Sequence, residues 1–156
     1  MMISDMLKPE YIFVEQTPDS PKLEDALRHI SECCSPYAGV KPSALTKAFL
    51  AREKLGSTGF GEQLAIPHAK VKKLKSPMIA LFRFTGEIDW HSLDGRPVKL
   101  AIALIMPKED ENNTHLTVLA QLSRKLVHPE FMATLLGAET RETLYQYIIK
   151  EMEENR

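Results

Sequence analysis

Val98-Lys99-Leu100-Ala101-Ile102-Ala103-Leu104-Ile105-Met106 is apolar from Leu100 to Met106 without a break. The run is too short to cross a bilayer and has the length of a buried strand. Polar and apolar residues do not alternate along it, so both faces must be covered, which predicts a central strand between two other layers. Working outward, Met78 to Phe84 reads as a second strand and Tyr11-Ile12-Phe13-Val14 as a first one. Between them lie stretches with helical spacing, and after Met106 the pattern is helical alone. Strands that alternate with helices and then give way to helices predict a layered α/β fold, a small mixed sheet between helical layers. Length predicts a single domain over residues 1–156.

The helices carry their own punctuation. Pro18-Asp19-Ser20-Pro21 makes a turn and a helix start, Leu23, Ala26, Leu27 and Ile30 recur on one face, and Ser35-Pro36-Tyr37-Ala38-Gly39 is expected to break the helix. A second helix is expected from Lys41-Pro42-Ser43 through Leu55, stopped by Gly56, with Leu45, Ala48, Phe49 and Arg52 along one face. Ala69 to Pro77, with four lysines, reads as a basic connection, and Asp89 to Gly95 as a turn region in which Trp90 packs. Thr114 opens a helix through Val127, Pro129 to Leu136 forms a short successor closed by Gly137, and Glu139 to Glu153 is the last helix. Leu144, Tyr147, Ile148 and Met152 are its expected buried stripe.

Composition narrows the function classes. The chain is 44% hydrophobic and 26% charged with a formal net charge of −1, an ordinary globule with no general attraction for nucleic acid or an anionic membrane. The amino terminus has Asp5 and no apolar core of a signal peptide, which predicts a cytoplasmic protein. Cys33 and Cys34 are adjacent, too close to staple the fold, and are expected as reduced thiols.

His68 is the residue with a chemical question attached. It lies in Ala65-Ile66-Pro67-His68-Ala69, just after the glycine-rich Gly56-Ser57-Thr58-Gly59-Phe60-Gly61. Small residues and a proline hold the imidazole in a constrained loop. It is either a structural histidine beside a turn or a nitrogen that accepts and passes on a group. His115 stands at the start of a helix, on the face of Leu119, Leu122 and Leu126. Free N–H groups and the positive helix end beside it suit an anion, and the same dipole disfavours a charged ring. A neutral His115 would then donate one N–H to the anion while a partner fixes its other nitrogen. Arg52, at a helix carboxyl end, is either a surface residue that the dipole favours or a planar clamp for phosphate. The glycine run lacks the lysine and hydroxyl ending of a nucleotide loop and does not match the dinucleotide fingerprint. No paired-ligand spacing points to zinc, no cofactor is expected, and no nucleophile elbow points to a hydrolase.

Arg52-Glu53-Lys54-Leu55-Gly56-Ser57-Thr58-Gly59-Phe60-Gly61 followed by Ala65-Ile66-Pro67-His68-Ala69 resembles the signature of enzyme IIA domains of the fructose/mannitol class in the bacterial phosphoenolpyruvate-dependent sugar phosphotransferase system. Ile88-Asp89-Trp90, Leu93-Asp94-Gly95-Arg96-Pro97-Val98 and Thr114-His115-Leu116 extend the resemblance, which is strongest over residues 41–150. Phe60 departs from the aliphatic residue frequent there. The resemblance implies that His68 is phosphorylated by phospho-HPr on Nε2, that His115 is the second active-site histidine, and that Arg52 pairs the phosphate. It implies a cysteine of an enzyme IIB as acceptor, with the membrane component IIC involved only indirectly, and a mixed sheet between helical layers. The nitrogen-type branch of the same class offers an alternative, a phosphoprotein that regulates partners rather than feeding sugar uptake. A metal-dependent hydrolase built from His68, His91 and His115 is the third reading.

Overall fold

The computed structural model describes residues 3–110 and 113–154. A short helix α1 (Ile3–Met6) and a 3-10 turn (Pro9–Tyr11) lead into β1 (Ile12–Gln16), α2 (Leu23–Ala38) and α3 (Pro42–Glu53). Three short strands follow: β2 (Gly59–Gly61), β3 (Leu64–Ala65) and β4 (His68–Val71). Two long ones, β5 (Met78–Ile88) and β6 (Val98–Pro107), precede α4 (Thr114–Leu126), α5 (Pro129–Gly137) and α6 (Arg141–Glu154).

The apolar run is central, as its lack of alternation requires. β6 pairs antiparallel with β5 on one side, and β5 pairs parallel with β1 at the sheet edge. On its other side β6 carries β3 and β4 end to end, both parallel, with Leu64 opposite Leu100 and His68 opposite Leu104. Ile66 and Pro67 separate the two, and the Leu104 amide donates to the Pro67 carbonyl at 2.9 Å, so the ladder continues across the gap. β2 folds back antiparallel on β3.

Period-two geometry then divides the core. Ala101, Ala103 and Ile105 of β6, with Ala80 and Phe82 of β5, meet α2 and α3 through Ala26, Leu27, Ile30, Leu45 and Phe49. The alanines keep this layer close to the sheet. Leu100, Ile102, Leu104 and Met106 face the opposite layer, built by α1, α4, α5 and α6 with Val118, Phe131, Leu135, Leu144 and Ile148. Each large side chain buried there contributes roughly 1.5–3 kcal/mol. This is the expected mixed α/β architecture.

Several local expectations need correction. α2 does not break at Ser35-Pro36; it runs to Ala38, and Gly39 ends it in the left-handed region at φ 73°. Pro36 removes one N–H in the last turn, where a single lost hydrogen bond is tolerable, and the Ser35 hydroxyl donates to the Val40 carbonyl at 2.6 Å across the end. α3 stops at Glu53 rather than Leu55, because Arg52 and Glu53 turn their side chains to the loop beyond. β5 extends past Phe84 to Ile88 through an irregular pairing between Arg83 and Ile88. His68 is not in a loop: it is the first residue of β4, and the first part of the basic connection, Ala69–Val71, is strand. The signal was hidden because a four-residue strand beginning after a proline has too few residues for a period to show. The expected stripe of α6 holds at Leu144, Ile148 and Met152, while Tyr147 is half-buried at its border.

Candidate functional site

β4 alternates, so Ala69 and Val71 enter the layer of α2 and α3, and His68 projects on the side of α4. There its ring meets His115, with centroids 6.1 Å apart and planes at 77°. Nδ1 of His68 is sealed with no hydrogen-bond partner, which leaves Nε2 as the nitrogen open to approach. Burial depresses the His68 pKa to about 4, and the positive charge of Arg52 adds to the effect. The Ile66 backbone opposes it, while His115 and Lys70 lower it further. Since no bond to Nδ1 has full hydrogen-bond geometry, the Ile66 contribution is that of a close backbone contact. At neutral pH His68 is an uncharged ring with a free lone pair.

Arg52 comes from the other layer, in the last turn of α3. Its Nη1 donates to the Gly56 carbonyl at 2.7 Å, and its charge is felt at His68. The site therefore straddles the sheet, with Arg52 from one helical layer and His115 from the other directed at a strand between them.

Asp110 was not singled out in the sequence, and it organises the third corner. Its Oδ1 accepts the Thr114 amide at 3.0 Å, and its Oδ2 accepts the His115 amide at 3.2 Å and the His115 Nδ1 proton at 2.7 Å. The residue before α4, Asn113, is left-handed at φ 49° and makes no cap with its side chain, so Asp110 caps the helix from three residues further back. Burial opposes ionisation of this carboxyl, but the bonds from the His115 ring and the two amides outweigh it and hold it down at about 2. The readable signal was an acid just ahead of a helix start.

This pairing changes the expected protonation of His115. A carboxylate partner requires the proton on Nδ1, so a neutral ring presents a lone pair, not a donor, at Nε2. His115 donates from Nε2 to an anion only as the imidazolium, with Asp110 accepting from Nδ1.

The glycine run proves to be a packed joint. Glu53 accepts the Thr58 hydroxyl and, at 3.3 Å, Nε1 of Trp90 on one oxygen, and the Thr58 amide at 3.1 Å on the other. Trp90, expected as a packing residue, is fully buried and also donates to the Thr58 hydroxyl at 3.0 Å. A Cβ on Gly59 would lie 2.1 Å from Oγ and 2.9 Å from Cα of Ser92, so no side chain fits there. Phe60 points out, 48% exposed, and Leu55, Leu93 and Leu116 are exposed at 85%, 94% and 53%.

The remaining histidines stand apart from this constellation. His29 bonds Gln16 at 2.7 Å, His91 faces Asp89 on an exposed loop, and His128 faces Glu130. Among the described residues no group of three or more His, Cys, Asp or Glu side chains is placed to hold a metal ion. Cys33 and Cys34 are unpaired thiols, and burial pushes both of them up. Among the described residues no helix is long and apolar enough to cross a membrane.

Comparison with known proteins bears on the same region. Residues 5–151 match the family model described as phosphoenolpyruvate-dependent sugar phosphotransferase system, EIIA 2. The nitrogen regulatory protein of Pseudomonas aeruginosa is 40% identical over 100 residues, 64% of this chain and 64% of that protein. The fructose-specific EIIABC component of Bacillus subtilis is 42% identical over 105 residues, 67% of this chain and 16% of that much longer protein. Both matches thus span less than two thirds of the relative's own length. The mannitol IIA in an Escherichia coli complex of enzyme IIA with phosphorylated enzyme IIB superposes with a TM-score of 0.74 at 19% identity, covering 96% of this chain and 100% of that one.

Proposed function

Because the chain belongs to the EIIA 2 family of the phosphoenolpyruvate-dependent sugar phosphotransferase system, we propose that it is a cytoplasmic phosphocarrier that takes a phosphoryl group from phospho-HPr onto Nε2 of His68 and passes it to a cysteine of an enzyme IIB. The observation that carries this reading is the facing pair His68 and His115, 6.1 Å apart, with His68 Nδ1 sealed and its Nε2 left to react.

In the first transfer the Nε2 lone pair of neutral His68 attacks phosphorus. The P–N bond to the donor imidazole breaks, and its electron pair returns to that ring. Arg52 exchanges the Gly56 carbonyl for a phosphoryl oxygen, and His115, protonated against Asp110, donates from Nε2 to another. The dianion is balanced by these two side chains; the first amides of α4, expected to be free for an anion, are taken by Asp110 and Asn113. In the second transfer a thiolate attacks the same phosphorus and the pair returns to His68. The low basicity of this ring makes it a good leaving group, which suits a relay. Binding must stay moderate, since each ~1.4 kcal/mol of surplus affinity for the phosphoryl group shifts the transfer equilibrium tenfold against the next carrier.

Exposed Leu55, Phe60, Leu93 and Leu116 flank these elements in the chain and suit docking of two protein partners in turn. The fructose-specific relative names A, B and C components in one chain, which supports a IIB acceptor and an indirect role for IIC. A second reading is favoured by the nitrogen regulatory relative at 40% identity: a phosphoprotein on the same site whose charge state controls a partner. The test is labelling by phosphoenolpyruvate, enzyme I and HPr, then mixing with a panel of IIB domains. His68→Ala should abolish labelling, and label appearing on another residue sinks the site assignment. Transfer to a IIB cysteine selects transport; a stable phosphoprotein with no acceptor selects regulation.

A further inference from the structure

At the end of the sheet where β4 and β6 finish and β1 and β5 begin, a cleft of about 430 Å³ opens between α2, the residues around α1 and the Lys72–Pro77 connection. That volume lies within the ~300–1,000 Å³ of small-molecule sites. Lys8, Lys73 and Lys75 line it together with Asp5. None of the three lysines makes an ion pair among the described residues. The chain as a whole is slightly acidic, so this is a local concentration of positive charge. The carboxyl end of α2 at Ala38 and Gly39 borders the cleft and accounts for about half a charge, well short of three cations.

One wall is aromatic. Tyr11 and Tyr37 meet edge to face, with centroids 5.1 Å apart at 63°, and Tyr37 is half exposed with the ring bordering the cleft. The Ser76 hydroxyl adds a donor at the rim, and Met6 and Met78 form an apolar floor.

We propose that this cleft binds a small phosphorylated compound carrying a planar ring, of nucleoside monophosphate size. The phosphate sits among Lys8, Lys73 and Lys75, and the ring stacks on Tyr37 over the methionine floor. This site is separate from His68 and does not depend on the phosphocarrier reading.

The test is calorimetric titration of the full chain with adenosine monophosphate, adenosine and inorganic phosphate. Adenosine monophosphate should bind saturably, and the other two at least tenfold more weakly. Lys73→Gln with Lys75→Gln, and separately Tyr37→Ala, should each weaken the nucleotide at least tenfold. All three positions are exposed, and unchanged far-ultraviolet circular dichroism verifies the fold. Absence of saturable binding, equal binding of inorganic phosphate, or binding indifferent to both variants overturns the proposal. His68→Ala should leave the titration unchanged, and a loss of binding there would also overturn it.

Discussion

Asp110→Asn separates what Asp110 does for α4 from what it does for His115. The carboxylate spends one oxygen on the Thr114 amide and the other on the amide and ring of His115. Asparagine keeps one acceptor and replaces the other with an NH₂ group that accepts nothing. Losing part of the cap costs about 1 kcal/mol of stability. The larger effect falls on the ring. A hydrogen bond to a charged partner is worth roughly 1.5–3 kcal/mol, and without the anion His115 has less reason to take up a proton when phosphate arrives. Phosphoryl transfer should therefore fall by about ten- to a hundredfold, at the scale seen when a histidine loses its orienting carboxylate. The assay pairs urea unfolding with rates of labelling from phospho-HPr, and ¹⁵N spectra of His115 report the proton on each ring nitrogen. Transfer within twofold of the parent, with His115 still protonated at the same pH in the phosphorylated protein, refutes the reasoning.

His68 gives a pH signature. Its folded pKa of about 4 lies below the ~6.5 of an unfolded histidine, so between these values the unfolded chain binds the extra proton. Stability should fall by up to about 3 kcal/mol as pH drops from 6.5 to 4 and then lose this component of slope; His68→Gln should flatten that window, and an unchanged urea midpoint profile contradicts the assignment. Below it, Asp110 makes a second contribution, present above ~3.9 and lost as pH falls toward about 2, which Asp110→Asn removes. Gly59→Ala must displace Ser92 and should cost about 1–3 kcal/mol, read by thermal unfolding; an unaltered midpoint would show that the contact yields freely. Glu53→Gln leaves one acceptor oxygen where Trp90 and the Thr58 hydroxyl use one and the Thr58 amide the other, costing about 1–3 kcal/mol, and Trp90, the one tryptophan in the chain, should report it as an emission change.

The architecture was legible because β6 is long and apolar on both faces, and because α2, α4 and α6 carry clear apolar periods. The ends were harder. Pro36 misled because one proline in a final turn deletes a bond without deleting a helix, while β3 and β4 were too short to have a period and exist only because β6 offers them an edge. At the site, His68, His115 and Arg52 were recognisable in the sequence, but only the fold brings Arg52 and His115 from opposite layers to His68. Asp110 could not be found by spacing alone, since its role depends on Asn113 turning left-handed and returning the chain to the helix start. The partner expected on one nitrogen of His115 is present, but because it is a carboxylate it takes the proton of a neutral ring at Nδ1, and its identity was not readable from the helix start.

β4 has one further consequence. It pairs with β6 along one side only, and α3 is the helix packed against it, so the strand that carries His68 is also a sheet margin. A bare margin of this kind invites strand addition by another chain and uncontrolled assembly. α3 therefore guards against aggregation as well as supplying Arg52. Mutations that loosen it should reduce solubility together with phosphoryl transfer, and a screen for activity would also select, unasked, for chains that stay apart.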